Sequence, residues 1–289
     1  MNIDERLKTK KTFSMEVFPP KRDGDHLELL DVIRDLKSLN PDFISVTYGA
    51  GGTTRSLTKE IASEIKNDIG IESMAHLTCV GNTRQEIGGI LEELSQAGIH
   101  NVLALRGDPP QGEKFFTPVF GGFHYASELV EYIKEEHPGF SIGVAGYPEK
   151  HPEAKSLIED IDHLAAKVAA GGEFIITQLF FNNEHYFRFY ELLRKKNIQV
   201  PVIPGIFLIS SYKQLQRIEE LSGSDIPKKL AEDLSRHQDD PDALRQIGVE
   251  YALSQSRSIL EEGVAQGLHF YIMNRQDMIK ELADSLPSF

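Results

Sequence analysis

A carboxylate, a histidine, an Arg–Asp pair and an amide interrupt apolar runs in this chain, each near the end of a short β-type segment. Glu16 stands in Phe13-Ser14-Met15-Glu16-Val17-Phe18-Pro19-Pro20. A carboxyl group inside an apolar strand loses hydration, which raises its pKa and suits it to donate a proton near neutrality. A structural ion pair or a metal ligand would use the same position. His76 stands in Ala75-His76-Leu77-Thr78, either as a satisfied core residue or as a ligand contact. Arg106 and Asp108 flank Gly107 in Leu105-Arg106-Gly107-Asp108-Pro109-Pro110. Residues two apart share a strand face. The pair therefore reads as a mutual salt bridge or as two charges offered to a ligand. Gln178 lies in Ile176-Thr177-Gln178-Leu179-Phe180-Phe181, where a buried amide must find partners. A neighbouring strand or a ligand with paired donor and acceptor edges, such as a pterin, would supply them.

Two further stretches offer groups to a ligand. Val46-Thr47-Tyr48-Gly49-Ala50-Gly51-Gly52 is a tight loop whose backbone N–H groups could meet an anion. Tyr147-Pro148-Glu149-Lys150-His151-Pro152-Glu153 places a ring and an imidazole on a proline-stiffened loop. No G-x-G-x-x-G, P-loop or G-x-S-x-G occurs. Cys79 is the single cysteine, which excludes an internal disulfide and a Cys-rich metal centre. No His-x-His pair closes the first β segment, so no metal is expected.

These positions need a scaffold, and the rest of the sequence describes one. The apolar β-type runs are Phe13–Phe18, Phe43–Tyr48, Ser73–Val80, Val102–Gly107, Ile142–Tyr147, Phe174–Phe181, Val200–Phe207 and His269–Met273. Between them apolar residues recur at helical spacing, as in Leu29, Ile33, Leu36 and in Leu157, Ile161, Leu164, Val168. Thr83 with Glu86 predicts a capping box, Asp240 before Pro241 an N-cap, and Gly70, Gly98 and Gly171 helix ends. Eight strand–helix repeats in 289 residues predict an α/β chain closed as a (β/α)8 TIM barrel, one catalytic domain over 1–289. An additional helical stretch, about 227–263, precedes strand eight. A doubly wound sheet over two domains would need a linker, and none is visible. In a barrel the C-terminal strand ends meet at one mouth, where every residue singled out above would lie.

Composition narrows the partners. Net charge is −13, from 44 acidic and 31 basic residues, poorly matched to nucleic acid or to an anionic membrane surface. The start lacks the basic and apolar regions of a signal peptide, and no apolar run reaches the roughly 18 residues that span a bilayer. A cytoplasmic protein is expected.

The motifs together resemble the bacterial type of methylenetetrahydrofolate reductase. They are Phe-Ser-Met-Glu-Val-Phe-Pro-Pro-Lys (13–21), Val-Thr-Tyr-Gly-Ala (46–50), His-Leu-Thr-Cys (76–79), Leu-Arg-Gly-Asp-Pro-Pro (105–110), Tyr-Pro-Glu-Lys-His-Pro-Glu-Ala (147–154), Ile-Thr-Gln-Leu-Phe-Phe (176–181) and Phe-Tyr-Ile-Met-Asn-Arg (270–275). The resemblance runs from about residue 10 to 280. It implies a barrel that binds FAD without a Rossmann fingerprint. NADH or NADPH would first reduce the flavin in a ping-pong cycle. The flavin would then reduce 5,10-methylenetetrahydrofolate to 5-methyltetrahydrofolate, as part of one-carbon and methionine metabolism. It also implies a homo-oligomer, and no response to adenosylmethionine, since only one barrel is present.

Carried over by motif, Glu16 is the acid that opens the folate's imidazolidine ring, and Asp108 the carboxylate beside flavin and pterin. Gln178 is shared by folate and nicotinamide. The FAD contacts implied are Thr47, Tyr48, His76, Leu105, Arg106, Gly107, Asp108, Tyr125, Ala126, Tyr147, His151, Asp160, His163 and Lys167. Gln214 and Arg275 fall near the folate tail. His163 replaces a common Asn, and Ala166 an Arg that can help bind FAD. Ile218 stands near a position that an aromatic gate can occupy. Two other readings use the same residues. One is a metal-dependent lyase or hydrolase built on Glu16, His76, Asp108 and His151. The other is a non-catalytic folate- and flavin-binding subunit that works with a partner.

Overall fold

The computed structural model describes residues 2–20, 26–48, 55–109, 112–113 and 115–286, with the backbone alone at 55. The Gly49–Gly52 loop and parts of two motifs (Lys21, Pro110) lie outside the described residues.

The strands are β1 (Thr12–Val17), β2 (Phe43–Val46), β3 (Ser73–Thr78), β4 (Asn101–Leu105), β5 (Ser141–Gly146), β6 (Phe174–Thr177), β7 (Val202–Ile203), β8 (Gly205–Phe207) and β9 (Gly267–Tyr271). All pairings are parallel, in the order β7-β6-β5-β4-β3-β2-β1-β9-β8. The seventh predicted run is two segments, because Pro204 has no N–H to give the ladder. β7 pairs with β6 and β8 with β9, so this one stretch of chain joins the two ends of the sheet. Gln266 N donates to Val202 O and His269 N to Pro204 O across that seam. The result is the expected (β/α)8 barrel, with its seventh strand broken.

Helices alternate with the strands: α1 (Ile3–Leu7), α2 (His26–Leu36), α3 (Arg55–Glu64), α4 (Arg84–Gln96), α5 (Ala126–Glu136), α6 (Leu157–Ala169), α7 (Asn183–Lys195), α8 (Tyr212–Ser222), α9 (Lys228–Arg236), α10 (Pro241–Glu262) and α11 (Gln276–Ala283). The caps are those the sequence signals. Thr83 and Glu86 form the capping box, the Asp240 side chain accepts from Ala243 N, and Gly70 ends its helix at φ 80°. The additional helical stretch is α9 and α10.

Alternation along the strands sorts two cores. Phe13, Met15, Val17, Ile44, Val46, Ala75 and Leu77 face outward and pack on Leu30, Ile33, Ile61, Ile87 and Leu91 of the helices. Phe43, Met74, Leu103, Phe174, Ile176 and Ile203 fill the barrel interior with Ile3 and Leu7 of α1. Five residues are too few to hold a helix alone. Burying Ile3 and Leu7, at about 1.5–3 kcal/mol each, fixes α1 as a plug under the barrel. Ile3 N also donates to Asn101 Oδ1 at 2.8 Å, and Arg6 pairs with Asp42 at 2.7 Å. Nothing in the sequence periodicity marked this plug.

Candidate active site

At the opposite end the interior is polar along one wall. In β1 the inward residues are Ser14 and Glu16. Register sets Ser14 beside His269 of β9, and Glu16 between Ser45 of β2 and Tyr271 of β9. His76 reaches the same point from β3. Its Nε2 lies 3.2 Å from Glu16 Oε2, and His269 Nε2 lies 3.9 Å from the same oxygen. Glu16 is 6% exposed and His269 0%.

The Glu16 pKa lies below its ordinary value, not above it as a carboxyl in an apolar strand would predict. Burial does push it up, but the two imidazoles outweigh burial and hold the carboxyl at about 2. Sequence alone could not see this, because the neighbours come from strands three and nine. His269 was not singled out either, nor Tyr271. The run His269–Tyr271 carries the signal in retrospect: residues two apart, both polar, on the inward face of the last strand. Tyr271 OH spans to Thr177 O of β6 at 2.7 Å. Asn274 clamps the end of β1 through two hydrogen bonds, accepting from Phe18 N and donating to Phe18 O.

Above this wall lies a cavity of about 860 Å³ at the C-terminal ends of the strands. That is toward the upper end of the roughly 300–1,000 Å³ typical of ligand sites. Glu16, Thr47, Tyr48, His76, Leu105, Arg106, Gly107 and Asp108 line it from β1 to β4. Tyr125, Ala126, Tyr147, His151, Asp160, His163, Lys167 and Gln178 line it from the later loops and helices. Thr78, Glu153, Glu159, Ala166, Phe207 and Tyr271 also line it. The two remaining expected residues do not line it. Gln214 accepts through Oε1 from Ser210 N, within its own helix start, and Arg275 pairs with Asp277 at 3.1 Å.

Arg106 and Asp108 do not form the mutual pair that was one of the two readings. Glu153 takes the guanidinium instead, with two hydrogen bonds of 2.7 Å. Asp108 is left to act on Tyr147, whose phenol is raised by burial first and then by that carboxylate. Gly107 is at φ +86°, and a Cβ there would come within 2.8 Å of Val80 Cγ1. Only glycine fits this turn. Gln178 is exposed to the cavity rather than buried, because it follows the last residue of β6. Its Oε1 accepts from Leu179 N at 2.8 Å, which points the amide N–H₂ away from its own backbone.

The far side of the cavity sets the cations Arg106 and Lys167 among the carboxylates Glu153, Glu159 and Asp160. Lys167 Nζ donates to Ala145 O at 2.5 Å, and burial lowers its pKa to about 8, with Asp160 opposing and Arg106 adding. His151 is lowered by burial first and by Arg106 next. Asp160 Oδ2 accepts from His151 N, which fixes the β5–α6 loop. Cys79 is buried and its thiol is pushed up to about 12, so it is a packing residue.

The set Glu16, His76, Asp108 and His151 does not converge on a point. Among the described residues, the group of metal-ligand types that comes together is Glu149, His185 and Asp225, within 4.8 Å and outside the cavity lining. Those three are tied to one another: His185 to Asp225 at 2.9 Å, and Asp225 N to Glu149 Oε1 at 2.8 Å.

The fold and cavity define a barrel enzyme site in which a buried carboxylate–imidazole wall faces Arg106 and Lys167 across one cavity. The sequence matches the Methylenetetrahydrofolate reductase family over residues 2–287. A 5,10-methylenetetrahydrofolate reductase of Pectobacterium carotovorum is 36% identical, covering 97% of this chain and 91% of that one. The chain therefore belongs to this family. Methylenetetrahydrofolate reductase (NADH) 1 of Arabidopsis thaliana is 37% identical over 95% of this chain, but over 49% of its own length. The chain thus spans about half the length of that and several other relatives it matches. A solved structure from Clostridium thermocellum, described as binding two copies of 5-methyl-5,6,7,8-tetrahydrofolic acid, has the same fold. It aligns with TM-score 0.64 and 18% identity, over 98% of this chain and 96% of that one. Among the described residues no helix is long and apolar enough to cross a membrane.

Proposed function

We propose that this chain reduces 5,10-methylenetetrahydrofolate to 5-methyltetrahydrofolate, with NADH or NADPH as hydride source and FAD as carrier. The observation that carries this reading is one cavity that joins Glu16, Asp108 and Gln178 to Arg106 and Lys167, in a member of this family.

The donor set fits FAD. Lys167 is a buried cation with its proton weakened by desolvation, and a diphosphate would restore it. Thr78 Oγ1 is buried beside the cavity without a hydrogen-bond partner. Arg106, His151, Asp160, His163 and Lys167 would hold the nucleotide part. Thr47, Tyr48, His76 and Asp108 would border the ring system. The bound flavin supplies the two-electron relay between nicotinamide and folate.

The chain's own residues do the rest. Asp108 and Gln178 offer an acceptor and an N–H₂ donor to a pterin edge. Glu16 delivers a proton to the folate nitrogen whose release opens the ring. In the ligand-free arrangement its two imidazoles keep Glu16 ionised. Closure of the cavity over Glu16 would remove its remaining water and draw His76 away from it, and both changes would raise the Glu16 pKa. The acid thus forms when the site is filled. Gln214 and Arg275 would serve the polyglutamate tail from outside the cavity, Arg275 after leaving Asp277.

A visible absorption spectrum of the purified protein tests the cofactor, and anaerobic mixing with NADH and then with methylenetetrahydrofolate tests each half-reaction. A colourless protein that takes up no FAD, or a flavin that NAD(P)H leaves oxidised, would overturn the reading. The second of these outcomes is the signature of a non-catalytic folate-binding subunit.

A further inference from the structure

Outside the cavity, three chain segments bring an imidazole and two carboxylates to one place. Glu149 lies in the loop between β5 and α6, His185 in the first turn of α7, and Asp225 in the link between α8 and α9. Their ligand-type atoms all lie within 4.8 Å of one another. Glu149 and Asp225 are 76 residues apart in the chain, so no local spacing marks the group. Two carboxylates this close repel unless a cation lies between them. Among the described residues, His185 is the ion-pair partner of both, at 3.6 Å from Glu149 and 2.9 Å from Asp225, and no Lys or Arg pairs with either. One imidazole can offset at most one of the two negative charges. Glu149 is only 18% exposed, so salt and water screen it poorly. A doubly charged ion would balance both carboxylates and leave the ring neutral, the form that ligates.

The spacing fits such an ion. His185 Nε2 lies 2.9 Å from Asp225 Oδ2 and 3.6 Å from Glu149 Oε1. Around a tetrahedral ion with bonds of about 2.0–2.1 Å, neighbouring ligand atoms stand roughly 3.3 Å apart. The two contacts bracket that value. Asp225 is 55% exposed and can turn its carboxylate to close the third edge. Both carboxylates are also oriented by outside donors, as ligating carboxylates are. Asp225 N donates to Glu149 Oε1 at 2.8 Å, and Asn182 Nδ2 donates to Asp225 Oδ2 at 3.2 Å. Each of these oxygens keeps a lone pair for an ion.

We infer that Glu149, His185 and Asp225 form a binding site for one divalent transition ion of the Zn²⁺ class, with water as the fourth ligand. An imidazole with two carboxylates suits Zn²⁺, whereas Mg²⁺ and Ca²⁺ take all-oxygen sets. The ion would bind His185 through Nε2, in place of the hydrogen now shared with Asp225. It would clip the loop that carries Tyr147, His151 and Glu153 to α7 and to the α8–α9 link. Those loop residues line the cavity, while the three ligands do not, so the ion would stand behind the cavity wall and take no part in the reaction. The inference goes beyond the reductase reading and is independent of it.

The test needs no turnover. The full chain, freed of metal by a chelator, is titrated with ZnCl₂ by calorimetry, with and without FAD. One ion should bind per chain in both cases. Co²⁺ in place of Zn²⁺ should give the visible bands of a nitrogen–oxygen site, and MgCl₂ should not compete. His185→Gln, at a side chain 32% exposed, should weaken Zn²⁺ binding at least tenfold, and Asp225→Asn should do the same. Zn²⁺ should raise the thermal midpoint of the wild type and leave that of His185→Gln in place. Absence of saturable Zn²⁺ binding would mark the group as an ion-pair cluster only and overturn the inference. Binding that both variants keep overturns it too, because the ion then sits elsewhere, as does Mg²⁺ binding as tight as Zn²⁺. Should one variant not fold, the other still decides. If the protein takes up no flavin, the functional reading fails, and the zinc titration stands apart from it.

Discussion

Glu153 holds Arg106 by two hydrogen bonds of 2.7 Å, tying the loop after β5 to the end of β4. The carboxylate is nearly half exposed, so the pair contributes little to stability. Its consequence is electrostatic: it offsets a cation at the site proposed for the FAD diphosphate. Phe116 also positions the guanidinium, 5.2 Å below its centre. Glu153→Gln should therefore tighten FAD binding a few-fold at low ionic strength, and salt should erase the gain. Quenching of FAD fluorescence measures it. Weaker binding in the variant would mean that Glu153 positions Arg106 and does not compete for it.

Lys167 gives FAD binding a pH dependence. Its pKa is about 8 in the folded chain against an ordinary 10.5, because it is buried. Between those values the folded chain releases the proton that the unfolded chain keeps, so stability of the ligand-free protein rises with pH there. FAD affinity runs the other way, since the neutral amine no longer attracts the diphosphate. Affinity should fall as pH rises above about 8, and Lys167→Met should bind about tenfold more weakly with no such slope, a loss of about 1.4 kcal/mol. A titration of apoprotein with FAD from pH 6.5 to 9.5 decides it. A parallel slope in the variant would assign the effect to another group.

Glu16 should separate the two half-reactions. Glu16→Gln keeps the shape of the wall but cannot donate the proton. Reduction of the flavin by NADH should persist, and folate reduction should drop by about 10²–10⁴-fold. Near wild-type folate turnover would remove Glu16 from the mechanism. The same substitution has a signature without ligand. The folded carboxyl, held at about 2, lies below its ordinary 4.5. Its stabilising contribution is present above about pH 4.5 and is lost as pH falls toward 2. The difference in urea midpoint between wild type and variant should shrink steadily across that window.

Much of this was legible in the sequence, and the exceptions share a cause. Strand and helix order follows from periodicity, and a residue's position at a strand end follows from the order. That is why Glu16, His76, Asp108 and Gln178 could be placed at one mouth. What remained hidden was who meets whom across the barrel. Glu153 rather than Asp108 takes Arg106. His269, more than 250 residues from Ser14, fixes the far side of the acid and helps reverse the direction of its pKa. These depend on register between strands distant in sequence, which no local pattern encodes. The plug helix α1 was hidden for a related reason, since its apolar pair matters only once a barrel floor exists to receive it.

Gly248 tests the packing that the long-range register creates. It lies inside α10, where glycine costs about 1 kcal/mol against alanine, so its presence needs a reason. The reason is contact: a Cβ there would come within 1.8 Å of Ile209 O, a backbone atom just beyond β8. α10 therefore lies directly against the chain leaving the eighth barrel segment, beside Leu244 and Ile209 in the cluster that covers Phe207. Gly248→Ala gains helix propensity but must push α10 off that backbone, at about 1–3 kcal/mol for an overpacked site. The net expectation is a lower thermal midpoint, together with weaker ligand binding because Phe207 lines the cavity. A Gly248→Ala protein as stable as wild type would show that α10 can shift freely, and that its contact with Ile209 does not hold the cavity wall.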